Sequence, residues 1–170
     1  FALSRKDPDY VPRAKAVKAL EALRRENPDA PEVAAAMAGF DPASTGLGSL
    51  VMALRPGDGS AREQAASCQR VLGGCANLAE EYATKRYRSN VVNWGMLPFI
   101  SKELRTLDVR PGDRLYLSGV RALLEGGGET LDAVLLRGEE RIPISLSLPG
   151  LTREERDIIL AGCLINYYAQ

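Results

Sequence analysis

The turn Gly57-Asp58-Gly59-Ser60 constrains this chain more than any other segment. It follows a strand-like apolar run, Leu50-Val51-Met52-Ala53-Leu54. It leads into Ala61-Arg62-Glu63-Gln64-Ala65-Ala66 and a stretch that can stay helical through Leu72. A glycine turn from strand to helix exposes backbone N–H groups at the positive end of the helix, a geometry that suits an anion. Arg62 falls in the first helical turn, where a cation is slightly unfavourable for the helix itself. Its place makes more sense if it faces a ligand carboxylate, which the planar guanidinium fork grips in bidentate fashion. Ser60 lies at or beside the helix cap. The plainer reading is an ordinary turn with a capping serine and a solvated arginine. On these residues alone that reading ranks first, because strand, glycine loop and helix N-terminus are common to many folds.

Bulk properties narrow the function classes. A chain of 170 residues is long enough for one domain with its own core. Lys plus Arg number 22 and Asp plus Glu number 22, so no net charge draws the chain to nucleic acid or to an anionic membrane. No apolar run approaches the ~20 residues of a membrane span, and no signal-peptide pattern opens the sequence. Neither nucleic acid nor membrane is an expected partner. The chain begins at Phe1, which reads as a processed or excised piece, so a site on it can be completed by residues outside it. There is no histidine, which removes imidazole bases, serine–histidine triads and histidine metal sites. The 3 cysteines, Cys68, Cys75 and Cys163, form no C-x-x-C and fit a reduced, cytoplasmic protein better than a disulfide scaffold. Three thiolates could hold a cluster, but Cys68 and Cys163 stand in runs that read as helical, and both are expected as small core hydrophobes.

A second block changes the balance. Arg88-Ser89-Asn90-Val91-Val92-Asn93-Trp94-Gly95-Met96-Leu97-Pro98 follows the glycine turn, with Leu72-Gly73-Gly74 between them. Together these segments resemble the C-terminal swivelling domain of the aconitase and isopropylmalate isomerase superfamily. That family carries a G-x-G-S-S-R-E-H-A-A loop, then L-G-G, then an R-A-N-L-I-N-F-G-I-L-P-like run. The resemblance continues through Arg110-Pro111-Gly112-Asp113, a strand, a hairpin and a final helix containing Ala161-Gly162. It covers roughly residues 49–170 and implies an α/β fold, a swivelling three-layer β/β/α domain of the aconitase C-terminal type. Residues 1–48 match loosely and read as a helical lead-in, whose inclusion in the same domain stays open.

Local signals fill in the rest. Residues 1–11 are polar and expected to be loose. Pro12 can open a helix at its first position, with Ala14, Val17, Leu20 and Leu23 at helical spacing. Asn27-Pro28-Asp29 breaks it, and Pro31 starts a short second helix through about Met37. From Asn77 to Trp94 propensity reads as one long helix; the resemblance instead implies a strand near 75–80 and a helix near 83–94. Gly95 ends that helix before a strand at 96–100. Leu115 to Ser118 reads as a strand, and 131–136 and 141–148 alternate about a hairpin turn. Thr152 with Glu155 forms a capping box for the last helix.

The resemblance implies a reaction. The family reversibly dehydrates hydroxy polycarboxylic acids, removing a proton beside a carboxylate while an iron–sulfur cluster polarises the departing hydroxyl. Ser60 matches the serine that acts as base, at the surface of a concavity. Arg62 matches the arginine that binds the substrate carboxylate. The N–H groups of Ala61 and Arg62 are the implied oxyanion donors, with Gly59 completing the loop. The 4Fe-4S cluster is expected in other domains, with none bound by this chain. Two departures matter: Ala61 stands where the family usually has a second serine, and Gln64 replaces its histidine. The chain also lacks the family's T-T-D-H-I block and a further substrate-binding arginine. The departures point to an atypical hydratase branch rather than a true aconitase.

Other conspicuous residues read as structural: Trp94 and Tyr87 as core or interface, Lys85, Arg86 and Arg88 as a solvated helix face, Asn90 and Asn93 as ties to backbone groups. Glu80 and Glu81 are adjacent and point apart. Three functions stay open. The chain is one wall of a fused hydro-lyase, inactive alone; or the small subunit of a two-chain dehydratase of the isopropylmalate isomerase type; or a non-catalytic anion-binding module of the same fold. The first two imply the remaining aconitase-like domains as partners, in cis or as a large subunit.

Overall fold

Apolar residues on α1 (Tyr10–Glu26) and α2 (Pro31–Ala36) close a small cluster of their own, in which Ala30, Val33 and Met37 are buried against Leu20, Leu23, Phe40 and Leu47. The computed structural model describes residues 3–37 and 39–169. Helix α1 begins earlier than the sequence suggests: Tyr10 and Val11 precede Pro12, which sits inside the first turn, where its missing N–H would have had no partner. The expected loose segment holds a short 3-10 turn at Leu3–Arg5; residues 1–2 lie outside the described residues. Glu21 ties α1 to the approach of the first strand. Its carboxylate accepts from Arg24, from Arg25 Nε (2.7 Å) and from the Leu47 N–H (2.8 Å).

Two βαβ crossovers follow. They run β1 (Ser49–Ala53), α3 (Arg62–Val71), β2 (Gly74–Ala79), α4 (Lys85–Asn93) and β3 (Leu97–Ile100). Parallel neighbours need such crossovers. Strand β2 pairs with β1 on one side and β3 on the other, both parallel, with Ala79 opposite Ala53 and Ile100. The chain then forms β4 (Arg114–Leu117), α5 (Val120–Gly126), the hairpin β5 (Thr130–Arg137) and β6 (Glu140–Ser147), α6 (Arg153–Ala161) and α7 (Leu164–Tyr168). The result is one 6-stranded mixed sheet in the order β1-β2-β3-β6-β5-β4. Its parallel and antiparallel halves meet through the pair Ile100 and Ser147, and the Ser147 hydroxyl donates to Ile100 O (3.2 Å).

One core runs under both halves. Ala76, Leu78 and Phe99 of the parallel strands share it with Leu135, Ile144 and Leu146 of the hairpin and Ile158 and Ile159 of α6. The α/β class expected from the sequence holds. Helix α5 has no counterpart among the sequence expectations, and α7 falls in the run around Cys163 that reads as helical, as a separate helix after the Gly162 C-cap of α6. Helix α5 is held by Arg156 of α6, which is buried and donates to Leu123 O (3.2 Å) and Leu151 O (3.3 Å). The predicted capping box on α6 is present, with Thr152 and Glu155 exchanging backbone bonds.

Candidate functional site

The glycine turn leaves β1 beside the N-terminus of α3, with Asp58, Gly59, Ser60 and Ala61 exposed and Arg62 half-buried. Ala61 is the N-cap of α3, so Ser60 stands just outside the helix rather than on the cap. The helical ladder begins where the Ala65 N–H donates to Ala61 O (3.0 Å). The N–H groups of Ala61 and Arg62, the implied oxyanion donors, come ahead of that ladder. Arg62 turns back along the loop, its Nε donating to Gly57 O (3.1 Å). Its Nη groups have no protein partner among the described residues.

Gly57 is fixed by what lies behind it. Its φ is 98°, and a Cβ there would come within 2.5 Å of Tyr87 Cβ. Gly59, in the same turn, has nothing within 4 Å of the point a Cβ would occupy and tolerates more. Tyr87 is 3% exposed and its hydroxyl accepts from Gln69 Nε2 of α3 (2.8 Å). Burial pushes the Tyr87 phenol up from its ordinary range, although the Gln69 and Asn77 side chains pull the other way.

Several residues depart from their expected places. Cys68 is exposed, not a core residue; on an amphipathic helix it falls on the outer face, while Ala66 and Gln69 turn inward. Cys163 is half-buried and caps α7 instead of lying within a helix. Burial pushes the Cys75 thiol up to about 11. Arg88 does not belong to a solvated face: it pairs with Glu155 (3.5 Å) and donates to Pro149 O (2.9 Å), joining α4 to α6. Lys85 and Arg86 are exposed as expected. Glu80 and Glu81 do diverge, to Arg105 (2.6 Å) and Arg55 (2.9 Å) respectively. Two hollows, of about 400 and 630 Å³, lie around α6, toward α7 and α5; neither includes Ser60 or Arg62. Among the described residues, no group of three His, Cys, Asp or Glu side chains is placed to hold a metal ion.

Asn90 does tie backbone, as read. With its amide turned to suit its neighbours, it donates to Arg86 O (3.3 Å) and accepts from the Glu63 N–H (3.1 Å) at the start of α3. Asn93 is half-buried. Trp94 Nε1 donates to Glu63 Oε1 (2.5 Å). One participant escaped the sequence reading. Thr84, the N-cap of α4, accepts from the Tyr87 N–H and donates to Gly57 O. A threonine directly ahead of Lys85-Arg86-Tyr87 is an N-cap signal that could have found it.

The family described as the aconitase C-terminal domain matches residues 13–104, more than half of the chain. The match takes in α1 from its fourth residue, α2, the whole parallel half of the sheet and the glycine turn. The antiparallel half lies beyond it. No curated protein matches the chain.

Proposed function

The chain belongs to the family of aconitase C-terminal domains, and we propose on that footing that it forms one wall of a hydro-lyase active site, working with other aconitase-like domains. Its substrate class is a hydroxy polycarboxylic acid. The observation that carries this reading is the posture of Arg62, in the first turn of α3: Nε is anchored on Gly57 O (3.1 Å), while the Nη end has no protein partner among the described residues. A carboxylate set there meets a charge-assisted pair and the positive end of a helix together. Ser60, exposed next to Arg62, takes the proton from the carbon beside that carboxylate. The freed electron pair forms the C=C bond, and the hydroxyl departs as water with a second proton supplied from the facing domains. A serine alkoxide is feasible only where N–H groups and a cation stabilise it, which is the role we assign to the Ala61 and Arg62 N–H groups and to the Arg62 guanidinium. The 4Fe-4S cluster belongs, in this reading, to the other domains, where it would polarise the leaving hydroxyl. The concavity is likewise completed by those domains.

Steady-state kinetics and direct binding in the assembled enzyme test the assignment. Ser60→Ala is expected to leave affinity nearly intact and lower kcat severely, because a base acts only in the chemical step. Arg62→Lys keeps the charge and loses the fork. It is expected to weaken binding by about ten- to a hundred-fold, from ~1.5–3 kcal/mol per charge-assisted bond, and to lower turnover as well. Near wild-type turnover in Ser60→Ala would leave the domain as a carboxylate-holding wall without the base, the alternative that Ala61 and Gln64 keep open.

A further inference from the structure

One face of α4 is turned toward the glycine turn and the first turn of α3. Thr84, Tyr87, Asn90 and Trp94 recur at helical spacing, and each touches that region. The Thr84 hydroxyl donates to Gly57 O (3.2 Å) and accepts from the Tyr87 N–H (3.2 Å). Tyr87 backs Gly57, leaving no room for a Cβ. Asn90 takes the Glu63 N–H, and Trp94 takes the Glu63 carboxylate. Gly57 O receives both Thr84 Oγ1 (3.2 Å) and Arg62 Nε (3.1 Å). A carbonyl oxygen has two lone pairs, so it can accept both donors at once.

We propose that Thr84 is a positioning residue of the carboxylate site: by fixing Gly57 O it anchors Arg62 Nε, so that the guanidinium meets its ligand end-on through its two Nη groups. This rests on the reading of the loop as a carboxylate site and adds how that site is held. A carboxylate gripped from the side would use Nε and one Nη; here Nε is already engaged. A long arginine ordered before binding also avoids the loss of rotamer freedom that ordering it on binding would cost. Thr84 touches no substrate in this account. It acts through Gly57 O.

The competing explanation is that Thr84 only caps α4. NMR of the arginine Nε–H groups of the 170-residue chain separates the two, with the Arg62 signal assigned by its disappearance in Arg62→Lys, and with citrate titrated as the polycarboxylate probe. The wild type is expected to show a slowly exchanging Arg62 Nε–H. Thr84→Val is expected to release it to the exchange rate of a solvated arginine and to weaken citrate about tenfold, the worth of one hydrogen bond. Thr84→Ser is expected to restore both. If Thr84→Val lowers the melting temperature but leaves the Arg62 Nε–H protected and citrate affinity unchanged, Thr84 is a cap and the proposal is overturned. Should Thr84→Val not fold, Thr84→Gly removes the hydroxyl while leaving a tolerated helix cap, and the same two readouts apply. A wild-type chain that binds no citrate refutes a carboxylate site complete on this chain, and leaves the assembled enzyme to test the wider reading. The Nε–H signal then decides the positioning proposal, its loss in Thr84→Val supporting it and its persistence overturning it.

Discussion

Gly57→Ala and Gly59→Ala place the same methyl group in the same turn, and the structure demands opposite outcomes. Gly57 has φ of 98°. An alanine in a positive-φ conformation costs about 1–2 kcal/mol from its Cβ meeting the following backbone. The added Cβ would also lie 2.5 Å from Tyr87 Cβ and 2.7 Å from Tyr87 Cγ. Those atoms cannot swing aside, because Tyr87 is 3% exposed and held at its hydroxyl by Gln69. Forced overpacking of this kind costs roughly 1–3 kcal/mol. The two effects together put Gly57→Ala at roughly 2–5 kcal/mol destabilised. Gly59 meets nothing within 4 Å and does not have positive φ, so Gly59→Ala is expected within about 0.5 kcal/mol of wild type. Urea denaturation followed by circular dichroism measures both, with the slope checked so that midpoints translate into stability. Because Gly57→Ala must also move Gly57 O, it is expected to weaken citrate binding, while Gly59→Ala leaves it near wild type. Equal stabilities for the two variants would refute the argument that Tyr87 fixes Gly57.

Two further outcomes are expected. Burial alone would push the Glu21 carboxyl up, but Arg24, Arg25 and the Leu47 N–H outweigh it and hold the group at about 2 against an ordinary 4.5. A carboxyl lowered on folding contributes stability that is full above the unfolded value and is lost as pH falls through 4.5 toward 2. The difference is worth on the order of 3 kcal/mol, and Glu21→Gln is expected to flatten the acid limb of stability against pH; an unchanged limb would contradict the Glu21 network. Among the thiols, exposed Cys68 is expected to react first with a disulfide reagent at pH 8. Cys75, pushed up to about 11 by burial, then carries roughly one thiolate in a thousand and reacts last in the native state; a fast phase surviving in Cys68→Ser would contradict the exposure of that residue.

The parallel half of the sheet shows why residue patterns carried only part of the fold. Between Asn77 and Trp94 local propensity favours one helix, yet β2 occupies Gly74–Ala79 and α4 starts at Lys85. Strand β2 is paired on both sides, and that pairing with its burial outweighs a weak helical preference. Sequence blocks in family order conveyed this; periodicity did not. The short helices α5 and α7 have too few residues for propensity to stabilise them. They exist because Arg156 and the core hold them, contacts with no local trace in the sequence.

The candidate site divides the same way. The positions of Ser60 and Arg62 beside a helix N-terminus were legible, because the strand–glycine–helix order already implied them. The support under them was not, because it is made between helices. Thr84 reads locally as a cap and Tyr87 as an ordinary core aromatic. Only the packing of α4 against α3 turns the first into a donor for Gly57 O and the second into the surface that forbids a side chain at Gly57. Gly57 and Gly59 are therefore the same letter with different duties. One is required by the ring behind it, and the other has nothing within 4 Å of the point a Cβ would occupy.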